Sequence, residues 1–237
     1  MAGDRRIANL FEFILAIKVI LQGGSGNEFA SALAVEWSGI LDLWEIERGF
    51  ILAGRRVICG VDEAGRGPLA GPVYAAAVVL PFGVEIPGLN DSKKLSEKVR
   101  EMLFDEIVSK AAAYGVASAD HKEIDELNIL NATFLAMSRA VSLLGSKPDI
   151  ALIDGNRAPV MDVDCECVVG GDGKSASIAA ASILAKVSRD RYMVCMAEKY
   201  PQYAFEQHKG YGTKLHYERL REYGPSDIHR VSFLKSL

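Results

Sequence analysis

Two adjacent carboxylates, Asp62 and Glu63, close an apolar run and open directly into Ala64-Gly65-Arg66-Gly67-Pro68-Leu69-Ala70-Gly71-Pro72-Val73. Neighbouring acids repel one another, so a compact fold keeps such a pair where a cation or a proton offsets the charge. The pair therefore points to a metal site. The glycines and prolines behind it strip side chains from a loop, which lets its backbone approach a bound molecule closely.

The rest of the chain frames that site. With 237 residues, 49% of them hydrophobic, it can bury a core of one catalytic unit. We read residues 1–50 as an N-terminal helical extension and 51–237 as the catalytic domain with a helical C-terminal region. The apolar stretch 7–21 follows Arg5-Arg6 as a signal peptide would, but Glu12 and Lys18 interrupt it, and it is too short to span a bilayer. It reads as an amphipathic helix, with a joint at 22–27 and a second helix over 28–49 leading into the body. Cys59, Cys165, Cys167 and Cys195 lack zinc spacing and read as free thiols in a reducing cytoplasm. The formal charge of −4 disfavours a sequence-blind nucleic-acid coat. From Lys186 onward, however, ten Lys or Arg face six Asp or Glu, so an acidic body carries a basic tail suited to phosphates.

Periodicity and breakers predict an α/β pattern. Strands are expected at 57–61, 73–80, 113–119, 149–153 and 164–169, with the first two paired antiparallel around the glycine-rich turn. The first would deliver Asp62 to a strand end. Helices are expected at 96–110, 122–127, 129–144 and 175–199. The last is rich in Ala and Ser, which lets it lie close against a sheet. Its polar stripe Ser182, Lys186 and Arg189 reads as solvent-facing, and Asp190 as a partner of Arg189 or Arg191.

Asp62, Glu63, Asp154 and Asp172 each end or follow an apolar run and precede glycine or a small residue. Strand ends in α/β sheets gather at one edge, so four acids there would make an oxygen-only site for Mg²⁺ or Mn²⁺. No phosphate-binding G-x-x-x-x-G-K-S/T run is present, and His121, His208, His216 and His229 occur in polar segments with no Ser-rich elbow or Cys partner nearby.

Six ordered motifs carry a family resemblance: D-E-A-G-R-G-P-L-A-G-P-V at 62–73, D-S-K-K-L at 91–95, I-D-G-N at 153–156, Asp172 with A-A-A-S-I-L-A-K-V-S-R-D at 179–190, H-K-G-Y-G-T at 208–213 and G-P-S-D-I-H-R at 224–230. From about Ala53 to Phe233 the chain resembles bacterial ribonuclease HII, the type 2 ribonuclease H family. The resemblance implies a ribonuclease H-like fold, a five-stranded mixed sheet flanked by helices. It also implies cleavage of RNA paired to DNA and nicking 5′ of ribonucleotides embedded in DNA, leaving a 3′-hydroxyl and a 5′-phosphate.

The family's metal acids would fall on Asp62, Glu63, Asp154 and Asp172, which would hold two Mg²⁺ or Mn²⁺ ions. Gly65-Arg66-Gly67 would sense the ribose 2′-hydroxyl, and Tyr211 would stack where RNA gives way to DNA. Lys93, Asn156, Lys174, Lys186, Arg189 and Lys209 are expected substrate contacts. The expected setting is a cytoplasmic monomer with no membrane contact, acting on RNA–DNA hybrids and ribonucleotide-bearing DNA. Two alternatives stay open: another nuclease of this architecture, such as a junction resolvase, and a non-catalytic hybrid-binding module.

Overall fold

The computed structural model describes residues 43–90, 92 and 95–234. The helix expected over 1–22, most of the one over 28–49, and Lys93 lie outside those residues. The described body opens with helix α1 (Glu45–Leu52) and strand β1 (Ile58–Ala64). Then come β2 (Val73–Val79), α2 (Glu97–Lys110), β3 (Ala113–Ala119), α3 (His121–Leu127) and α4 (Ile129–Ser142). Strands β4 (Ile150–Asp154) and β5 (Cys165–Val168) precede the long α5 (Ala176–Lys199), the short α6 (Phe205–His208) and α7 (Lys214–Tyr223). Among the described residues, no helix is long and apolar enough to cross a membrane.

The five strands form one mixed sheet in the order β3-β2-β1-β4-β5. β1 pairs antiparallel with β2 and parallel with β4. One expectation about β1 is corrected. It does not stop at Val61 but continues through Asp62↔Ala76, Glu63↔Ala75 and Ala64↔Tyr74. The alanines opposite leave room for the ladder to run on, so both carboxylates sit inside a strand.

Alternation along the strands separates two cores. Cys59 and Val61 of β1 and Val73, Ala75 and Ala77 of β2 face α4 through Ala132, Ala136, Met137 and Ala140. On the other face, Ala76 and Val78 pack against Ala180, Ala181, Ile183 and Leu184 of α5 and Leu103 and Ile107 of α2. α5 lies almost on the backbone of β1: a Cβ at Gly60 would stand 2.1 Å from the carbonyl carbon of Ser177. Only glycine permits that approach, and the alanine-rich helix face supplies the other half of it.

The helices start where the sequence offers caps. Ser96 accepts from the Val99 N–H, and Asp120 forms a reciprocal capping box with Glu123. At α5, the Ser175 hydroxyl accepts from the Ile178 N–H and donates to Glu47 Oε1 at 2.7 Å. The same Glu47 oxygen accepts from the Ser177 N–H at 3.0 Å, so α1 places a buried carboxylate on the positive end of α5.

The C-terminal region folds back onto the glycine-rich loop after β1. Leu69 and Ala70 pack with Met193, Tyr203, Phe205, Leu220 and Ile228. Backbone bonds stitch the two segments: Leu69 N–H to Gly210, Gly71 N–H to Ile228 and Arg230 N–H to Leu69.

Candidate active site

The parallel ladder of β1 and β4 ends at Val61↔Ile153, so the next residues, Asp62 and Asp154, stand side by side where the two strands part. Asp172 arrives from a third direction. After β5 the chain passes Gly170 in the left-handed region (φ 65°) and enters a 3₁₀ turn, Gly171–Gly173. Asp154 Oδ1 accepts the Gly171 N–H at 2.7 Å, which fixes that turn against β4. As a result, Asp62, Asp154 and Asp172 each bring a ligand oxygen within 4.8 Å of the others. These donors are all carboxylate oxygens, the chemistry of a hard divalent cation rather than of zinc.

Of the four expected acids, Glu63 is the one outside this trio. It follows Asp62 on a pleated strand and so leaves on the opposite side, that of Cys59 and Val61. Its Oε1 lies 3.3 Å from Arg66 Nη1.

Burial raises the Asp62 carboxyl well above its ordinary range, and Glu63 and Asp154 push it further in the same direction. Hydrogen bonds from the Ser182 hydroxyl and the Glu63 N–H work against that rise. A buried carboxylate beside two other acids is a group that a bound cation would relieve.

Ser182 corrects the sequence reading. It does not face solvent but lies beneath Asp62, 2.8 Å from the Ser92 hydroxyl. Ser182 stands one turn after Ile178, on the face of α5 that meets the sheet.

The glycine-rich loop begins at Gly65, buried with φ +96°, and exposes Arg66 and Gly67. A Cβ at Gly65 would stand 2.0 Å from Arg189 Nε, and one at Gly67 would touch the Tyr211 ring at 3.8 Å. The structure thus brings the Gly65-Arg66-Gly67 loop and Tyr211 together. Tyr211 keeps 42% of its surface open.

The expected cationic contacts divide. Arg189 is fully buried, so it does not present its charge to a phosphate; it donates to the carbonyls of Ala70, Pro72 and Lys209 instead. Lys186 pairs with Asp190 at 2.7 Å, and burial lowers its pKa. Asp190 also stands 3.8 Å from Arg100, so its partners are Lys186 and Arg100 rather than Arg189 or Arg191. Lys174 is exposed and donates to the Val169 carbonyl, Lys209 donates to the Glu206 carbonyl, and Asn156 is exposed just beyond β4.

Three histidines that the sequence left in polar segments are buried beneath Tyr211, and their hydrogen bonds fix each tautomer. His208 Nδ1 accepts from Gly210, so its Nε2–H donates to Tyr203. His229 Nδ1 accepts from the Ser226 N–H, so its Nε2–H donates 3.0 Å to His216 Nε2, and His216 Nδ1–H donates to the Tyr211 carbonyl. The network is complete only when all three rings are neutral.

Burial accordingly lowers His216 and His229 from 6.5 to about 4. A lowered folded pKa gives stability that is full above 6.5 and lost as pH falls toward 4, by at most about 1.4 kcal/mol per pH unit per ring. The melting temperature is expected to fall steeply between pH 6 and pH 5, and His216→Gln to halve that slope. Thermal melts of both proteins across this range, with an undiminished slope in the variant, would refute the linkage.

The Ribonuclease HII family model matches residues 59–236. The ribonuclease HII of Caldicellulosiruptor bescii is 58% identical over 194 residues, covering 82% of this chain and 94% of that one. That of Burkholderia thailandensis is 60% identical over 177 residues, covering 75% and 83%. Among solved structures, the ribonuclease H2 from Pyrococcus horikoshii superposes with a TM-score of 0.62 at 28% identity, over 75% of this chain and 93% of that one. The ribonuclease HII of Archaeoglobus fulgidus, solved as a complex with PCNA, gives 0.63 at 26%, over 74% and 94%. On this sheet, this cluster of acids and these matches, the chain belongs to the ribonuclease HII family and is a metal-dependent ribonuclease H.

Proposed function

We propose that the enzyme cuts the RNA strand of RNA–DNA hybrids and nicks DNA on the 5′ side of a single embedded ribonucleotide, using two Mg²⁺ or Mn²⁺ ions. The observation that carries this reading is the convergence of Asp62, Asp154 and Asp172 on one edge, with a glycine loop and an open tyrosine ring side by side in the same domain. When bound, such ions activate a water on one side of phosphorus and neutralise the departing oxygen on the other. Asp62 and Asp154, adjacent at the parting of two strands, would hold the ions together with Asp172. Glu63 is assigned to the same set as the next acid of the strand, held here by Arg66.

Selection of RNA over DNA must rest on the 2′-hydroxyl. Backbone at Gly65-Arg66-Gly67 can reach that group with no side chain between, and Tyr211 can stack on the neighbouring deoxyribose, which lacks it. Lys93, Asn156, Lys174 and Lys209 are assigned to the phosphates that position the duplex. Arg66, exposed at the loop tip, joins them.

Cleavage mapping tests the whole reading. A DNA duplex with one ribonucleotide should yield a single nick with 3′-hydroxyl and 5′-phosphate ends, and a chelator should abolish it. An all-DNA four-way junction should stay intact. Cutting of the junction without the ribonucleotide duplex would replace this reading with that of a resolvase.

A further inference from the structure

Two arginines, Arg189 and Arg230, have 0% exposure, and among the described residues neither forms an ion pair with a carboxylate. Buried charges ordinarily have an acidic partner, so the fold keeps this pair against a cost. Backbone oxygens take the place of the missing acids. Arg230 donates to Gly65 at 2.6 Å, Arg66 at 2.9 Å and Gly71 at 2.9 Å. Arg189 donates to Ala70 at 3.3 Å and Pro72 at 3.2 Å. Between residues 65 and 72, five carbonyls are thus held by two guanidinium groups.

Arg189 reaches one step further. It donates to the Lys209 carbonyl at 2.9 Å, its guanidinium carbon lies 5.6 Å from the centre of the Tyr211 ring, and its side chain fills the space that a Cβ at Gly65 would need. Its Nη1 is buried without a hydrogen-bond partner.

We propose that Arg189 and Arg230 are positioning residues that lock the Gly65-Arg66-Gly67 loop and Tyr211 into one ribose-recognition unit, and so set the preference for a lone ribonucleotide over a long hybrid. This rests on the functional reading above. A guanidinium is suited to the task because its planar fork meets several carbonyls at fixed angles, which a lysine cannot do. At a single ribonucleotide only one register offers a 2′-hydroxyl, so a loop set wrongly finds nothing to hold. A long hybrid offers one at every step and tolerates the error better.

The test uses the full chain as wild type, Arg230→Lys and Arg189→Lys. Each protein is assayed for kcat and KM on a single-ribonucleotide duplex and on a long hybrid, with Mn²⁺ uptake by calorimetry. Because small misplacements cost up to about 100-fold, the ratio of kcat/KM on the first substrate to that on the second is expected to fall about tenfold in each variant. Mn²⁺ uptake should match wild type.

An unchanged ratio, or an equal loss on both substrates with weakened Mn²⁺ uptake, would make the arginines ordinary structural residues and overturn the proposal. Should Arg230→Lys lack a cooperative melt, Arg189→Lys decides by the same criteria, and failure of both to fold likewise overturns it. A wild type that cuts neither substrate would sink the functional reading and this inference with it. Wild-type cleavage with unaltered variants sinks this inference alone.

Discussion

Asp62→Asn is expected to abolish cleavage and, in the absence of metal, to raise the melting temperature. The two effects share one cause. Asp62 is 4% exposed, sits within 4.8 Å of Asp154 and Asp172 through ligand oxygens, and has its carboxyl pushed up by burial first and by Glu63 and Asp154 next. A folded pKa above the ordinary 3.8 means that ionisation weakens the fold as pH rises through that folded value.

The metal-free protein therefore bears the cost of burying this carboxyl beside two other acids, and the isosteric amide removes that cost. The amide keeps an oxygen for the Glu63 N–H, and Ser182 can accept where it formerly donated. A gain of about 1 kcal/mol corresponds to roughly 2–4 °C in a domain of this size. Mn²⁺ should reverse the order, stabilising wild type and leaving the variant nearly unmoved. Calorimetric melts with and without Mn²⁺, beside cleavage assays, check both halves; a variant that melts below metal-free wild type would show that the trio is not strained.

Gly65→Ala carries the second large effect. At φ +96° a side chain is strained wherever it sits, and here it would meet Arg189 Nε at 2.0 Å and Cδ at 2.3 Å. Arg189 cannot swing aside, since its guanidinium donates to three carbonyls. Strain and overpacking together should cost about 3 kcal/mol, and displacement of the loop about 100-fold in cleavage. Gly83 supplies the control: its φ is +76° but nothing lies within 4 Å of its missing Cβ, so Gly83→Ala should lose some stability and no activity. Equal activity losses in the two variants would show that the loop contact at Gly65 is not what matters.

Much of this is legible in the sequence. The runs at 113–119 and 175–199 fall within a residue of the observed β3 and α5, because short breakers and a Ser cap bound them sharply. Three of the four acids meet as the strand-end argument expected.

What escaped the sequence was tertiary in origin. The length of β1 depends on the alanines of β2 opposite it, which periodicity within one segment does not register. Burial of Ser182 and Arg189 depends on which face of α5 meets the sheet and the loop, and a polar stripe at helical spacing gives the same pattern in either orientation. The histidines read as isolated because their partners, 13 residues apart for His216 and His229, come together only through the turn after α7.

The bond that joins Arg230 to Gly71 spans 159 positions of the chain. A nascent polypeptide emerging from the ribosome would therefore own its sheet and all four acids well before the last segment arrives to finish the loop beside them. A product truncated before Arg230 is therefore expected to cleave at least about 100-fold more slowly than the full chain, since its acids stand beside an unfinished loop.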